Sequence, residues 1–229
     1  MPPLQTGTQL TGAVTDIVNT ALLLPLLFSL YKTLSRESLA SRLWLRLMTL
    51  VCISCAMGAV VHLFQWSFSI RYLIWFILYP VMMAACNDFL RLALHSCSSR
   101  CFPAKTFNRV LNIALLLVWA FLMILFLIFR DEPIRVFMVY AVMTVVPGFL
   151  LHCRLAFRGH KGARILLTAF LPLLFGAALM ILGVGQFVLV LPFDQNSIMH
   201  LFIMVSIVIF YLSARIWEKE PVSVNQSAT

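Results

Sequence analysis

Residues 32–46 read KTLSRESLASRLWLR, and this stretch separates two long apolar runs. It contains four basic residues: Lys32, Arg36, Arg42 and Arg46. Basic residues stay on the cytoplasmic side of a membrane, next to the ends of spanning helices. The stretch therefore predicts a cytoplasmic link between two membrane-spanning helices.

The same arrangement recurs along the chain. Fourteen of the 17 Lys and Arg residues fall into four clusters, one at every second gap between apolar runs. The other three clusters are Arg91, Arg100, Lys105 and Arg109; then Arg154, Arg158, Lys161 and Arg164; and finally Arg215 with Lys219. The gaps between them carry little positive charge. This alternation predicts an odd number of spans, with the N-terminus outside and the C-terminus in the cytoplasm.

The composition agrees with a membrane protein. The chain is 62% hydrophobic and 11% charged, whereas soluble domains are about 45–50% apolar and about 25% charged. Because a spanning helix takes about 20 apolar residues, seven spans use most of the 229 residues. We expect an all-α, polytopic membrane protein: a single seven-transmembrane helix bundle over residues 1–217 and a disordered cytoplasmic tail over 218–229. The expected spans are 12–32, 46–67, 71–92, 109–130, 134–154, 164–191 and 195–216.

The net charge of +9 does not indicate nucleic-acid binding. The basic residues lie within a few positions of the span ends, where they contact anionic headgroups and set the orientation. The expected partners are therefore membrane lipids. The expected location is a bacterial inner membrane, or the endoplasmic reticulum or plasma membrane of a eukaryote.

Few ionisable side chains fall inside the predicted spans, namely Asp16, His62, Asp88 and His200. Each costs about 2.5–3.5 kcal/mol on insertion scales, so each is a candidate functional residue. Asp16, His62 and His200 belong to three different spans but lie at a similar depth near the outer surface. We expect these three side chains to form a site there. Asp88 lies at the opposite end, where a pair with Arg91 is expected.

Small or polar neighbours occur at helical spacing beside these residues. Such faces must point into the bundle or a wet cavity, because lipid cannot satisfy their hydrogen bonds. They comprise Gly12, Asn19 and Thr20 around Asp16, Ser54 and Gly58 before His62, and Asn196 before His200. The predicted pocket is lined by Asp16, Asn19, His62, Asn196 and His200.

Three short motifs resemble the ceramidase-like seven-helix superfamily, which includes alkaline ceramidases, progestin and adipoQ receptors and GPI-lipid remodelling proteins. The motifs are Asp16-Ile17-Val18-Asn19-Thr20, Gly58-Ala59-Val60-Val61-His62 and Asn196-Ser197-Ile198-Met199-His200. They are similar to conserved steps in the first, second and seventh helices of that superfamily. The stretch from Gln195 to Leu212 is most similar to an uncharacterised, mainly bacterial branch.

The resemblance implies a zinc ion held by three histidines, but this chain departs from the pattern. The superfamily usually has a His-x-x-x-His step in its seventh helix, and Asn196 or Gln195 stands at the position of the first of these histidines. Gly58 stands where a serine is usual in the second helix. The aspartate that is usual in the third helix would fall near Tyr72. His62 and His200 are thus the implied metal ligands. Asp16 is the best third ligand, since two histidines with one carboxylate form an established catalytic zinc set, and Asp194 is the next candidate.

Two function classes follow from the resemblance. The first is a zinc-dependent hydrolase of a lipid amide or ester at the outer face, in which Asp16 is a ligand or the general base and Asn19 and Asn196 orient the reacting groups. The second is a family member without catalysis that acts as a membrane binding, receptor or scaffold protein. A purely structural alternative pairs Asp16 with His62 and has His200 hydrogen-bonded to Asn19 or Ser54. Transport is disfavoured, because the last span has few polar residues inward of His200.

Overall fold

A computed structural model describes residues 3–97, 104–128, 133–182, 187–188 and 192–219. Almost all of these residues are helical, which confirms the all-α prediction. The helices are α1 (Gly7–Thr33), α2 (Leu39–Leu63), α3 (Phe68–Cys97), α4 (Ala104–Ile128), α5 (Pro133–Phe157), α6 (Lys161–Leu182) and α7 (Gln195–Lys219). Two antiparallel strands of two residues each, β1 (Phe187–Val188) and β2 (Pro192–Phe193), lie between α6 and α7.

Six of the described helices, all except α4, are long and apolar enough to cross a membrane. A 25-residue helix such as α2 is about 37 Å long at 1.5 Å per residue, which exceeds the ~30 Å hydrocarbon core. Large apolar side chains such as Leu24, Leu73 and Leu171 are exposed on the outside of the bundle. The fold is therefore that of a multi-pass helical membrane protein. In α4 the described apolar segment is Leu116–Leu125, so the seventh span stays a prediction.

Some helix ends differ from the predicted spans. α2 begins at Leu39 rather than at 46, because the Ser38 side chain caps it by accepting a hydrogen bond from the Ser41 amide. α6 ends at Leu182 rather than at 191, and strand pairing follows, with Phe187 opposite Phe193. α7 continues through residues 218 and 219 of the predicted tail; residues 220–229 lie outside the described part of the chain.

The helices pack through aromatic and small residues. Trp44 and Trp217 meet edge to face with ring centroids 5.9 Å apart in the core between α2 and α7. At Gly162 a Cβ atom would lie 3.1 Å from the Trp217 Cα, so α6 and α7 approach closely there. The Ser213 hydroxyl donates to the Gly162 carbonyl at 2.9 Å. Small residues and interhelical hydrogen bonds of this kind hold helices together in membranes, where the hydrophobic effect between helices is weak.

We call the end of the bundle where α1 and α7 begin and α2 ends the polar end. The backbone N–H of Gln5 donates to the Leu63 carbonyl at 2.9 Å, and Leu4 forms an isolated antiparallel bridge with Phe64. The Thr11 hydroxyl donates to the Pro192 carbonyl at 2.6 Å. The segment before α1 and the β1–β2 pair are thus joined to the helices at this end.

We call the opposite end, where α1 and α7 finish and α2 begins, the basic end. Asp88 is fully buried there, and both of its carboxylate oxygens accept hydrogen bonds from Arg46 of α2. Arg91 lies 3.9 Å from the same carboxylate. The Arg91 pair expected from the sequence is therefore the weaker contact, because α2 brings a second guanidinium to Asp88.

Candidate functional site

Asp16 occupies the third turn of α1, and its side chain is buried between α2 and α7. Its Oδ1 atom lies 3.3 Å from Nδ1 of His200. Its Oδ2 atom lies against Gly58, where a Cβ atom would be only 2.5 Å away. The carboxylate thus fills the space that the missing side chain of Gly58 leaves open.

His200 lies in the second turn of α7, and its Nδ1 atom faces two oxygens. Besides Asp16, the Thr15 hydroxyl oxygen lies 3.0 Å from Nδ1. The Thr15 hydroxyl also reaches the Gly12 carbonyl at 2.9 Å. In the tautomer of neutral His200 that carries its proton on Nδ1, the ring donates to the nearby oxygens and Nε2 is an acceptor.

Asn19 lies one turn further along α1 and is fully buried. Its Nδ2 atom donates to the backbone carbonyl of His200 at 3.2 Å. Its Oδ1 atom is buried and has no hydrogen-bond partner within the described part of the chain. A buried acceptor without a partner costs about 1–3 kcal/mol. This atom therefore marks a position where an additional hydrogen-bond donor would be stabilised.

His62 lies in the last turn of α2 and faces α1. Its Nδ1 atom is 2.8 Å from Oε1 of Gln9, and because an amide oxygen only accepts, Nδ1 carries the proton. The ring lies close to Gly12, which has no side chain. A Cβ atom at this position would lie 3.6 Å from His62 Cγ. The His62 and His200 ring centroids are 6.1 Å apart at an interplanar angle of 61°. Two imidazole rings therefore lie close together at the polar end.

The structure brings four of the five predicted pocket residues together: Asp16, Asn19, His62 and His200. Asn196 is half-buried, and its side chain makes no hydrogen bond with the described residues. The structural alternative was wrong in its ion pair, because the carboxylate of Asp16 contacts His200 among the described residues. Its hydrogen bond between His200 and Asn19 is present, through the backbone carbonyl of His200.

The remaining predicted neighbours bond within their own helices. The Thr20 hydroxyl donates to the Asp16 carbonyl at 2.8 Å, and the Ser54 hydroxyl donates to the Leu50 carbonyl at 2.8 Å. Asp194 caps α7, since its Oδ1 accepts from the amide and the hydroxyl of Ser197 at 2.8 and 2.7 Å. The Asp194 carboxylate is thus already engaged in holding the start of α7.

Two residues of the site were missed from the sequence. Thr15 shares a helical face with Asn19 at i,i+4 spacing, and this spacing was an available signal. Gln9 lies before the predicted start of the first span at residue 12, but α1 begins at Gly7. The extra turn of α1 brings Gln9 beside His62.

The zinc ion that the resemblance implies requires three protein ligands. Two imidazoles on one tetrahedral zinc have centroids roughly 5 Å apart, given Zn–N distances of about 2.0–2.1 Å, so the observed 6.1 Å is close to this value. Asp16 binds the Nδ1 side of His200, as a carboxylate that orients a ligating histidine does. Among the described residues, no group of three or more His, Cys, Asp or Glu side chains is placed to hold a metal ion. The described side chains therefore do not form a complete zinc site.

The fold and this buried acid–imidazole cluster define a multi-pass helical membrane protein with a polar site at one end of its bundle. The chain belongs to the family described as "Family of unknown function (DUF6962)", whose model matches residues 11–219. The match includes Asp16, His62 and His200. No curated protein and no solved structure matches the chain, so the relation to the ceramidase-like superfamily stays a hypothesis.

Proposed function

We propose that this protein binds the polar head group of a membrane lipid at the polar end, as a receptor- or scaffold-type binding protein. The observation that carries the proposal is the buried Oδ1 atom of Asn19, an acceptor without a partner in the described chain. It lies beside the Asp16–His200 pair, since the same amide bonds the His200 backbone. A ligand with a hydrogen-bond donor would supply the missing bond.

The position of Asp16 inside a membrane span supports a functional role. A carboxylate in a membrane span costs about 2.5–3.5 kcal/mol on insertion scales, whereas intramembrane hydrogen bonds contribute only about 0.6 kcal/mol on average. The contacts of Asp16 with His200 and with the Gly58 surface do not recover this cost as stability alone. Binding of a ligand is a sufficient reason for the acid.

The acceptor atoms of the site indicate the chemistry of the ligand. Asn19 Oδ1 and the Nε2 atoms of His62 and His200 are all acceptors when the two histidines are neutral with their protons on Nδ1. The site therefore favours a head group with donors, such as the N–H and hydroxyl groups of a hydroxylated N-acyl amide lipid. A diacyl ester lipid without such donors fits less well.

Binding of a fluorescent N-acyl amide lipid to the detergent-purified protein tests this proposal. Asn19→Leu removes the acceptor at similar volume, and we expect it to weaken binding at least tenfold. Thr168→Ala is the control, since this exposed hydroxyl bonds only its own helix, at the Ile165 carbonyl. Equal affinities for the two variants would contradict the proposal.

A ligand series tests the same point without any change to the protein. An N-methylated amide lipid lacks the N–H donor, as a diacyl ester lipid does. We expect both to bind the unmodified protein at least tenfold more weakly than the N-acyl amide. If all three lipids bind alike, the site does not recognise a donor and the assignment fails.

A second candidate, a zinc-dependent hydrolase of a lipid amide or ester, is favoured by the 6.1 Å separation of the two imidazoles. His62 and His200 would hold the ion through Nε2, with Asp16 orienting His200, and a further ligand is required. A zinc ion there would supply Lewis-acid activation of a water molecule. About one zinc per purified chain, lost in both His62→Ala and His200→Ala, is the result this candidate requires. Absence of zinc from a protein purified with added zinc counts against it.

A further inference from the structure

A second site lies at the basic end, where its lining residues on α1 begin about three helical turns beyond Asp16. A groove of about 590 Å³ opens there between the end of α1 and the start of α2. Its basic wall is formed by Arg36, Arg42 and Arg46, and its apolar wall by Leu27, Phe28 and Leu45. We propose that this groove binds an anionic phospholipid, with the phosphate on the arginines and an acyl chain along the apolar wall.

The charges in the groove are unbalanced. Arg46 is paired with Asp88, but Arg36 and Arg42 have no carboxylate partner among the described residues. Arg36 lies over the Tyr31 ring, with its Cζ atom 4.0 Å from the ring centroid, so its guanidinium is held at the groove. None of the described residues that line the groove is acidic. The link between α1 and α2 contains Glu37, which is exposed, and α7 contains Glu218, which accepts a hydrogen bond from the backbone amide of Ser35.

The start of α2 adds to the positive potential. A helix N-terminus carries a partial positive charge that acidic residues in the first turn normally offset. The first turn of α2 has no acidic residue, and Arg42 follows directly after it. An anion bound at this position would interact favourably with the helix dipole and with the guanidinium group together.

The groove faces the lipid rather than the bundle interior. Phe28 and Tyr31 are 62% and 55% exposed on the outside of α1. Basic and apolar surfaces thus adjoin at the level where a headgroup meets its acyl chains, as expected for a basic lipid site between spanning helices. A free phosphate ion matches the arginines alone, whereas a phospholipid matches both walls.

Binding of phosphatidylglycerol to the full-length protein, reconstituted in phosphatidylcholine nanodiscs, tests the proposal. We expect Arg36→Gln/Arg42→Gln to weaken binding about 30-fold, since each basic residue near an anionic lipid contributes roughly fivefold. The control is Arg154→Gln/Arg158→Gln, which removes the same charge from exposed residues in another basic cluster. We expect less than a threefold effect from the control.

Three results would overturn the proposal. Equal weakening by the two double variants would show only diffuse attraction by the basic surface. Displacement of the lipid by 10 mM inorganic phosphate would assign the site to a free anion. Unchanged binding in Phe28→Ala, whose exposed ring is not needed for packing, would remove the acyl-chain contact. Recovery of all variants as monodisperse protein in detergent shows that each one is folded.

Discussion

Replacing Gly58 with alanine puts a methyl group where the Asp16 carboxylate lies. The new Cβ atom would be 2.5 Å from Asp16 Oδ2 and 3.2 Å from Asp16 Cγ. Real Cβ atoms do not approach an oxygen so closely, so the carboxylate or one of the two helices must move. Movement of the carboxylate also disturbs its 3.3 Å contact with His200.

The change in the free energy of unfolding caused by Gly58→Ala follows from two opposing effects. Alanine in place of glycine inside a helix is worth about 1 kcal/mol of helix propensity, whereas overpacking of a well-packed site costs about 1–3 kcal/mol. Loss of the polar contact adds about 0.6 kcal/mol. We therefore expect Gly58→Ala to be destabilising by about 1–2 kcal/mol.

Gly12→Ala is the matched control on the facing helix. A Cβ atom at Gly12 would lie 3.6 Å from His62 Cγ, which is an ordinary van der Waals distance. This variant should keep the gain in helix propensity and be more stable than Gly58→Ala by about 2 kcal/mol. Thermal unfolding in detergent should then show Tm values that differ by about 4–8 °C for a chain of this size.

A double-mutant cycle isolates the steric cause. In an Asp16→Ala background the carboxylate is absent, so Gly58→Ala should become neutral or stabilising. Equal Tm values for the Gly58→Ala and Gly12→Ala variants would refute the reasoning, as would an unchanged effect of Gly58→Ala in the Asp16→Ala background.

Three further predictions concern stability in detergent, each measured as a shift in Tm. Asp88→Asn should lower the free energy of unfolding by about 1–3 kcal/mol, because it removes the carboxylate that accepts the hydrogen bonds of the half-exposed Arg46. Arg46→Gln should then add little in the Asp88→Asn background, and additive effects would contradict the pairing. Ser206→Ala removes a 2.9 Å hydrogen bond to a backbone carbonyl of α6 and should lower the free energy of unfolding by only about 0.6 kcal/mol. A decrease of more than about 2 kcal/mol would be inconsistent with this single contact. Gly162→Val should be destabilising by more than 2 kcal/mol, since even a Cβ would lie 3.0 Å from the Trp217 ring; an unchanged Tm would show that α6 and α7 separate without cost.

The helical membrane fold was predictable because the clusters of basic residues recur between apolar runs. Helix ends were less predictable. Polar residues at headgroup level extend a helix as readily as they end it, and α2 starts at Leu39, ahead of two arginines. The early end of α6 depends on pairing between Phe187 and Phe193, which apolarity alone does not indicate.

The common level of Asp16, His62 and His200 in the bundle was also predictable, because the position of a residue along a helix fixes its height. The choice of partners was not, because it depends on how each helix is rotated about its own axis. Asp16 could face either imidazole at the same depth, and the structure turns it towards His200. His62 then pairs with Gln9, a residue outside the predicted span.

The contact between Asp16 and Gly58 also constrains how this family diverges. Position 58 has room for no side chain while an acid occupies position 16. Members of this family that carry serine or alanine at the glycine position should therefore have a different residue at position 16 or a wider spacing of α1 and α2 at this level. An alignment of family members would show this as correlated substitution between the two sites, and free variation at either site would count against it.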